Sequence, residues 1–253
     1  MTESEVSMLI IKIDHAIYER LTATEKQVIS YINTNVDKIA NMSIVDVAEE
    51  TFSSPATVSR TIKKCGIGGF TELRYMLSKK NNEVSDSGQI NEILEKSLRE
   101  ATNTVEQLSI NNVLNAIELI QKAGRIYILS RGLTELVAQE FSFKLQLLGY
   151  NVFQISDPNV MKKITCDVKK DELLVIFSLY GKTAELINSA ENAVSMGAKV
   201  ISCCCADETP LKTLSTVYLK GYKYNYVSIK KFEVTSRMPL NVISRILIDY
   251  LAL

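Results

Sequence analysis

Ser43-Ile44-Val45-Asp46-Val47-Ala48-Glu49-Glu50-Thr51 runs through Phe52-Ser53 into Ser54-Pro55-Ala56-Thr57-Val58-Ser59-Arg60-Thr61-Ile62-Lys63-Lys64-Cys65-Gly66. The stretch reads as two short helices joined by a turn. Ile44, Val47, Ala48 and Thr51 keep the i, i+3, i+4, i+7 spacing of one buried helical face. Ser43 with Asp46 three residues on makes an N-cap with a capping-box carboxylate. Phe52-Ser53-Ser54 interrupts, and Pro55 suits the first position of a second helix capped by Ser54. On that helix Val58, Ile62 and Cys65 share one side, while Ala56, Thr57, Arg60, Lys63 and Lys64 share the other; Gly66 closes it. Small and polar residues in the first turn, followed by basic ones, suit a helix that enters a DNA major groove. Ser54, Ala56, Thr57, Ser59, Arg60, Lys63 and Lys64 are therefore the candidate DNA-contacting residues. The same pattern also fits a plain helical hairpin with a solvated charged face.

Charge distribution favours the DNA reading. Lys and Arg number 29 and Asp and Glu 29, so the chain is formally neutral. From Phe52 to Lys80, however, Arg60, Lys63, Lys64, Arg74, Lys79 and Lys80 face Glu72 alone, whereas acids outnumber bases in the first fifty residues. Neutrality overall argues against an indiscriminate polyelectrolyte binder and leaves room for a site-specific one.

The 253 residues, 46% hydrophobic and 23% charged, have room for one large domain or two modest ones. No apolar run approaches the roughly 20 residues of a spanning helix. The opening Met1-Thr2-Glu3-Ser4-Glu5 is acidic, unlike a secretory signal, so a cytoplasmic protein without membrane contact is expected. Cys203, Cys204 and Cys205 are consecutive, and Cys65 and Cys166 stand apart, with no Cys-x-x-Cys pair. Successive side chains on a strand alternate faces, so the triplet reads as small apolar filler and no metal site is expected. The single histidine, His15, lies in the N-terminal region.

Two domains are expected. The first, a helix-turn-helix domain, spans residues 1–80 and is helical in pattern from residue 6: Leu9, Ile10, Ile13, Ile17 and Leu21 form one stripe, Thr22-Ala23-Thr24-Glu25 caps a further helix carrying Val28, Ile29 and Ile32, and Phe70, Leu73 and Leu77 define a last one. Residues 81–108 read as a linker and a connecting helix with Ile93, Leu94, Leu98, Ala101 and Val105 at helical spacing. From 109 to 253 short apolar runs alternate with amphipathic stretches. The runs are Ile126–Leu129, Val152–Ile155, Leu173–Phe177, Val200–Cys203 and Val217–Leu219; helices are expected from Leu136 to Leu148, before Gly149, and from about Thr183 to Met196, before Gly197. Such alternation means an α/β domain with a parallel sheet covered by helices on both faces.

Ligands of such sheets sit beyond the carboxyl ends of the strands. Two strand ends carry hydroxyl-rich turns: Ser130-Arg131-Gly132-Leu133-Thr134 and Ser178-Leu179-Tyr180-Gly181-Lys182-Thr183. A phosphate needs N–H groups at a helix N-terminus, hydroxyl donors, and a residue small enough to let the backbone approach. Gly132 and Gly181 supply the approach; Thr134, Ser178 and Thr183 supply hydroxyls; Arg131 or Lys182 adds charge. Ser, Thr and Gly also cap helices after strands in many α/β proteins, and that reading stays open.

The second domain resembles the sugar isomerase (SIS) fold, and the whole chain resembles the RpiR/MurR family of transcription regulators, which joins an all-α helix-turn-helix domain to an SIS effector domain. The resemblance rests on Leu21-Thr22-Ala23-Thr24-Glu25-Lys26, Ser54 to Arg60, Gly66-Ile67-Gly68-Gly69-Phe70, Ser178 to Thr183, Met196 to Ile201, Thr209-Pro210-Leu211, and Ser244 to Leu251. It implies a regulator whose affinity for a double-stranded DNA operator is set by a sugar phosphate, with Thr134, Ser178 and Thr183 at the positions of the family's phosphate-binding hydroxyls. Ser130, Arg131, Gly132, Tyr180 and Gly181 complete the candidate ligand set. The sequence departs from the family pattern where Ser130 replaces a glycine, Thr134 a serine, and Tyr180 the second serine of Ser-x-Ser-Gly-x-Thr; Glu135 adds a charge unhelpful to an anion.

Two other classes compete. An SIS-type sugar-phosphate isomerase needs a general base; no histidine serves, Glu135, Glu140 and Glu185 have no evident partner, and a basic helix-turn-helix has no role in an isomerase. No catalytic residue or cofactor is expected. A DNA-binding protein whose SIS domain only dimerises is the third class, kept open by Tyr180. A homodimer or higher homo-oligomer is expected, held by the SIS half and the terminal helix, where Val242, Ile243, Ile246, Leu247, Tyr250 and Leu251 crowd together.

Overall fold

The computed structural model describes residues 11, 15–80, 86–224 and 234–253. Leu9, Ile10 and Ile13 of the expected first stripe, the acidic opening, and residues 81–85 of the expected linker lie outside them. The chain divides into two units, Met1–Ser97 and Leu98–Leu253.

The first unit holds α1 (His15–Glu19), α2 (Ala23–Thr34), α3 (Val36–Ile39), α4 (Ile44–Glu50), α5 (Pro55–Lys64), α6 (Phe70–Lys80) and the start of α7 (Asp86–Gln107). Local chemistry sets the helix starts. Thr22 and Glu25 form a complete capping box on α2, and Ser43 and Asp46 form another on α4, each satisfying two otherwise orphaned N–H groups. Ser54 Oγ accepts the Thr57 N–H at 3.1 Å, with Pro55 in the first turn of α5. At the other end Gly66 adopts φ +83°; its N–H donates to Lys63 O, and the Ile67 N–H donates to Ile62 O, a Schellman closure. The turn between α4 and α5 passes through Phe52, left-handed at φ +48°, with its ring exposed.

Inner faces of these helices meet in one core containing Val28, Ile29, Ile32, Val47, Ala48, Val58, Ile62 and Leu73. Burying Val58 and Ile62 is worth about 1.5–3 kcal/mol each and holds α5 against α2 and α4. Cys65, expected on the buried side, is half-buried. Thr61 is fully buried instead, its hydroxyl donating to Thr57 O at 2.8 Å.

α7 buries the side opposite to the expected one. Ile93, Leu94, Leu98 and Val105 are exposed, while Asn91, Glu95, Glu100 and Thr104 are buried. Partners offset the cost of burying these polar groups. In the first unit Asn91 donates to Ala40 O at 2.8 Å. In the second, Glu100 accepts the Tyr224 N–H at 3.0 Å and Thr104 the Tyr222 N–H at 3.0 Å.

The second unit continues with α8 (Ile110–Lys122), β1 (Arg125–Leu129), a 3-10 turn at Gly132–Thr134, α9 (Glu135–Leu147), β2 (Val152–Ile155), α10 (Pro158–Cys166), β3 (Glu172–Ser178), α11 (Ala184–Ser195), β4 (Lys199–Cys204), α12 (Pro210–Leu214), β5 (Val217–Lys220) and α13 (Met238–Leu251). The five strands are all parallel, in the order β2-β1-β3-β4-β5, with Leu129 beside Ile176 and Ser178 beside Cys204. Alternation separates two cores. Ile126, Ile128, Leu173, Val175, Phe177, Ile201 and Cys203 meet α8, α9 and α13. Tyr127, Leu129, Leu174, Ile176 and Val200 meet α10, α11 and α12. Both strand faces are therefore apolar, as a doubly covered parallel sheet requires. Cys203, Cys204 and Cys205 are buried free thiols whose pKa values burial raises.

α13 is less available for association than its apolar content suggested. Leu240, Ile243, Leu247 and Ile248 belong to the core of their own sheet, and of the six crowded residues Tyr250 alone is exposed. Among the described residues no helix is long and apolar enough to cross a membrane.

Candidate functional site

The two-helix unit α4–α5 presents an outward face on α5. Ser54, Ala56, Arg60, Lys63 and Lys64 are exposed, and Thr57 and Ser59 are half-buried. Ala56, Ser59, Arg60, Lys63 and Lys64 line one shallow depression. Ser54 Oγ, besides capping the helix, lies 2.9 Å from Thr57 Oγ1.

The basic residues differ in their surroundings. Lys64 Nζ donates to Glu25 Oε1 at 2.7 Å, and Arg60 Nε lies 3.8 Å from the same oxygen. Glu25 is only 2% exposed, at the start of α2, where Oε2 accepts the Thr22 N–H at 2.9 Å. The Lys64 hydrogen bond first, then that of the Thr22 amide, holds its carboxyl below the ordinary value. Arg74 does not belong to the outward surface: Nη1 donates to Met42 O at 3.2 Å, its guanidinium sits over the Phe70 ring, and burial lowers its pKa. Lys63 has no ion-pair partner among the described residues. The residue missed from the sequence is Glu25; its capping signal was legible, but its reach across to α5 was not.

In the second unit the two hydroxyl-rich turns follow β1 and β3, adjacent central strands, at their carboxyl ends. Ser130 is wholly buried, and among the described residues its hydroxyl has no hydrogen-bond partner. Thr134 and Thr183 cap no helix through their side chains, and among the described residues neither hydroxyl has a partner. Other members are engaged within the chain. The Gly132 N–H donates to Glu135 Oε1 at 3.0 Å, so a carboxylate from the first turn of α9 already holds an amide that would serve an anion. The Gly181 N–H donates to Ser178 Oγ at 3.0 Å. Arg131 Nη1 donates to Ser156 O at 2.6 Å.

Gly181 is required for shape as well. Its φ is +64°, and a Cβ there would meet Thr209 Oγ1 at 2.5 Å and Cys204 Sγ at 3.0 Å. Thr209, at the start of α12, donates to Gly181 O and so clamps the turn. Tyr180 reaches across: its Oη lies 3.1 Å from Thr235 Oγ1, and Lys223 Nζ lies 4.9 Å from its ring centroid. Thr209 and Thr235 were not foreseen as parts of the site; both arrive through long-range contact.

Comparison with known proteins gives two family matches. Residues 8–83 match the helix-turn-helix domain of the rpiR family, and residues 119–228 match the SIS domain. An uncharacterized HTH-type transcriptional regulator of Clostridium perfringens is 26% identical, over 92% of this chain and 86% of its own. Among solved structures, the NanR protein of Vibrio vulnificus, complexed with ManNAc-6P, is 20% identical with a TM-score of 0.59, covering 93% of this chain and 88% of that one. Phosphoheptose isomerase GmhA of Neisseria gonorrhoeae is 15% identical with a TM-score of 0.56, covering 66% of this chain and 99% of that one. At these identities the solved structures speak to the fold.

Proposed function

The chain belongs to the rpiR family of helix-turn-helix transcriptional regulators that carry an SIS domain, and on that premise we propose that it controls genes of carbohydrate metabolism, with operator affinity set by a sugar phosphate held at the carboxyl ends of β1 and β3. DNA meets the outward face of α5, where Ser54, Ala56, Thr57, Ser59, Arg60, Lys63 and Lys64 sit. Arg60 is the candidate base reader, since a guanidinium can contact a guanine edge with two hydrogen bonds. Lys63, without an ion-pair partner among the described residues, is the better candidate for a phosphate contact than Lys64, which Glu25 engages.

The observation that carries the effector half is the group of hydroxyls around the two central strand ends. Among the described residues the hydroxyls of Ser130, Thr134 and Thr183 have no partner, and the three lie where open parallel sheets bind ligands. NanR, which shares the fold, binds ManNAc-6P, and that supports a phosphosugar as the class. Helix N-termini at α9 and α11 favour an anion between them.

The protein works as a regulator and not as an isomerase. Glu135 bonds Gly132, Glu140 pairs with Lys144, and the single histidine lies outside the second unit. Its place of action is the cytoplasm, with the DNA, and it binds as a homo-oligomer. The test selects an operator from a random duplex library and measures its affinity with and without a panel of hexose, hexosamine and pentose phosphates. A shift of about tenfold or more with one member, typical of a coupling free energy between sites, is the expected result. An unchanged operator affinity across the panel would remove the sugar phosphate from the proposal.

A further inference from the structure

Glu25 ends in two oxygens with separate partners. Oε2 accepts the Thr22 amide and is fixed by the cap of α2. Oε1 is thereby fixed as well, and it faces Lys64 Nζ at 2.7 Å and Arg60 Nε at 3.8 Å. Arg60 and Lys64 are four residues apart, so they lie on one side of α5. The carboxylate is 2% exposed, against 65% for Arg60 and 41% for Lys64. A buried anion therefore holds the ammonium tip of Lys64 and lies beside Nε of Arg60, while both side chains stay partly exposed, and burial leaves the attraction less screened than a surface pair.

We propose that Glu25 is a positioning residue for DNA recognition: it orients Arg60 and Lys64 on the outward face of α5 and so sets how strongly the protein prefers its operator to other duplexes. The inference rests on the reading of α5 as the DNA-facing helix. Arg60 contacts Oε1 without a hydrogen bond, which leaves its guanidinium donors for a base edge while limiting its rotamers. Ordering a long side chain in advance removes an entropic cost from binding. The same carboxylate offsets positive charge, and so weakens attraction to phosphates that carry no sequence information.

The test compares the full-length parent with Glu25→Gln, a change that keeps the capping box because glutamine serves at that position. Affinities for the selected operator and for an unrelated duplex are measured across a salt series. Glu25→Gln should weaken operator binding about tenfold, the order of one misread base contact. It should strengthen binding to unrelated DNA and steepen its salt dependence by about one unit, as freed cations reach phosphates. Equal gains on both duplexes would reduce Glu25 to a subtracted charge and overturn the proposal, as would no change on either. Should Glu25→Gln fail to fold, Lys64→Gln carries the test: the ratio of operator to unrelated affinity should fall, and an unchanged ratio would overturn the proposal. A parent that selects no duplex would overturn the DNA-binding reading itself, an outcome visible before any variant is made.

Discussion

Tyr180 Oη and Thr235 Oγ1 lie 3.1 Å apart, joining the turn after β3 to the segment that leads into α13. The hydroxyl that stands in place of a serine is thus directed away from its own turn and bonded to Thr235. Tyr180→Ser should bind a phosphosugar about tenfold more tightly than the parent, the order of one hydrogen bond and the freed space. Calorimetric titration of both proteins against the same panel checks it; weaker binding by Tyr180→Ser would mean that the phenol itself contacts the ligand.

Glu135 occupies the Gly132 amide that an incoming anion would use. Glu135→Ala should free that N–H and remove a repulsive charge, raising phosphosugar affinity by about tenfold, since hydrogen bonds to charged groups contribute about 1.5–3 kcal/mol. The same change removes a carboxylate from the first turn of α9 and should lower stability by a few tenths to about 1 kcal/mol. Titration and thermal unfolding of one variant read both effects.

Acid should loosen the first unit through Glu25. Its carboxyl titrates below the ordinary value of 4.5 in the folded chain, the Lys64 hydrogen bond being the largest cause. A depressed folded pKa stabilises above the unfolded value, and that contribution is lost as pH falls through the folded one. The stability difference between the parent and Glu25→Gln should therefore be largest near neutrality and shrink below pH 4.5. Denaturant unfolding at several pH values checks it; a difference that grew on acidification would contradict the assigned shift.

Association should run through α9 more than through α13. Leu136, Phe143 and Leu147 form an exposed stripe on α9, 66%, 56% and 87% exposed, with Glu140 and Lys144 beside it. A second copy packed antiparallel about a two-fold axis would set Leu136 against Leu147 and each Glu140 near the other copy's Lys144, a self-complementary arrangement. Phe143→Glu and Leu147→Glu in the full-length protein should shift sedimentation toward the monomer, whereas Tyr250→Glu should not. The reverse outcome would return the contact to the terminal helix.

Interactions spanning a few residues were legible in the sequence. The Thr22 and Ser43 capping boxes and the Ser54-Pro55 start read directly because both partners sit within one turn. The five strands read through because each sends apolar side chains to both cores. α10 went unread although Asp157-Pro158 is a standard start, with Asp157 accepting the Asn159 and Val160 amides; the short helix carries only one strongly buried aliphatic side chain, Met161. The Lys64–Glu25 pair spans 39 positions and Tyr180–Thr235 spans 55, and no local pattern specifies such partners. α7 misled for a different reason: its apolar periodicity is real, but the side turned inward is the one whose polar groups find specific acceptors and donors.

That choice of side gives α7 a mechanical character. An oily seam tolerates sliding and small rotations, because dispersion has no direction. Glu100 and Thr104 instead grip two named amides, those of Tyr224 and Tyr222. Such a fastening behaves as a keyed shaft, with one permitted angle about its own axis, and between the two keyed amides sits Lys223, whose ammonium rests over Tyr180. The indexed rod and the Tyr180 ring thus meet at a single residue, Lys223.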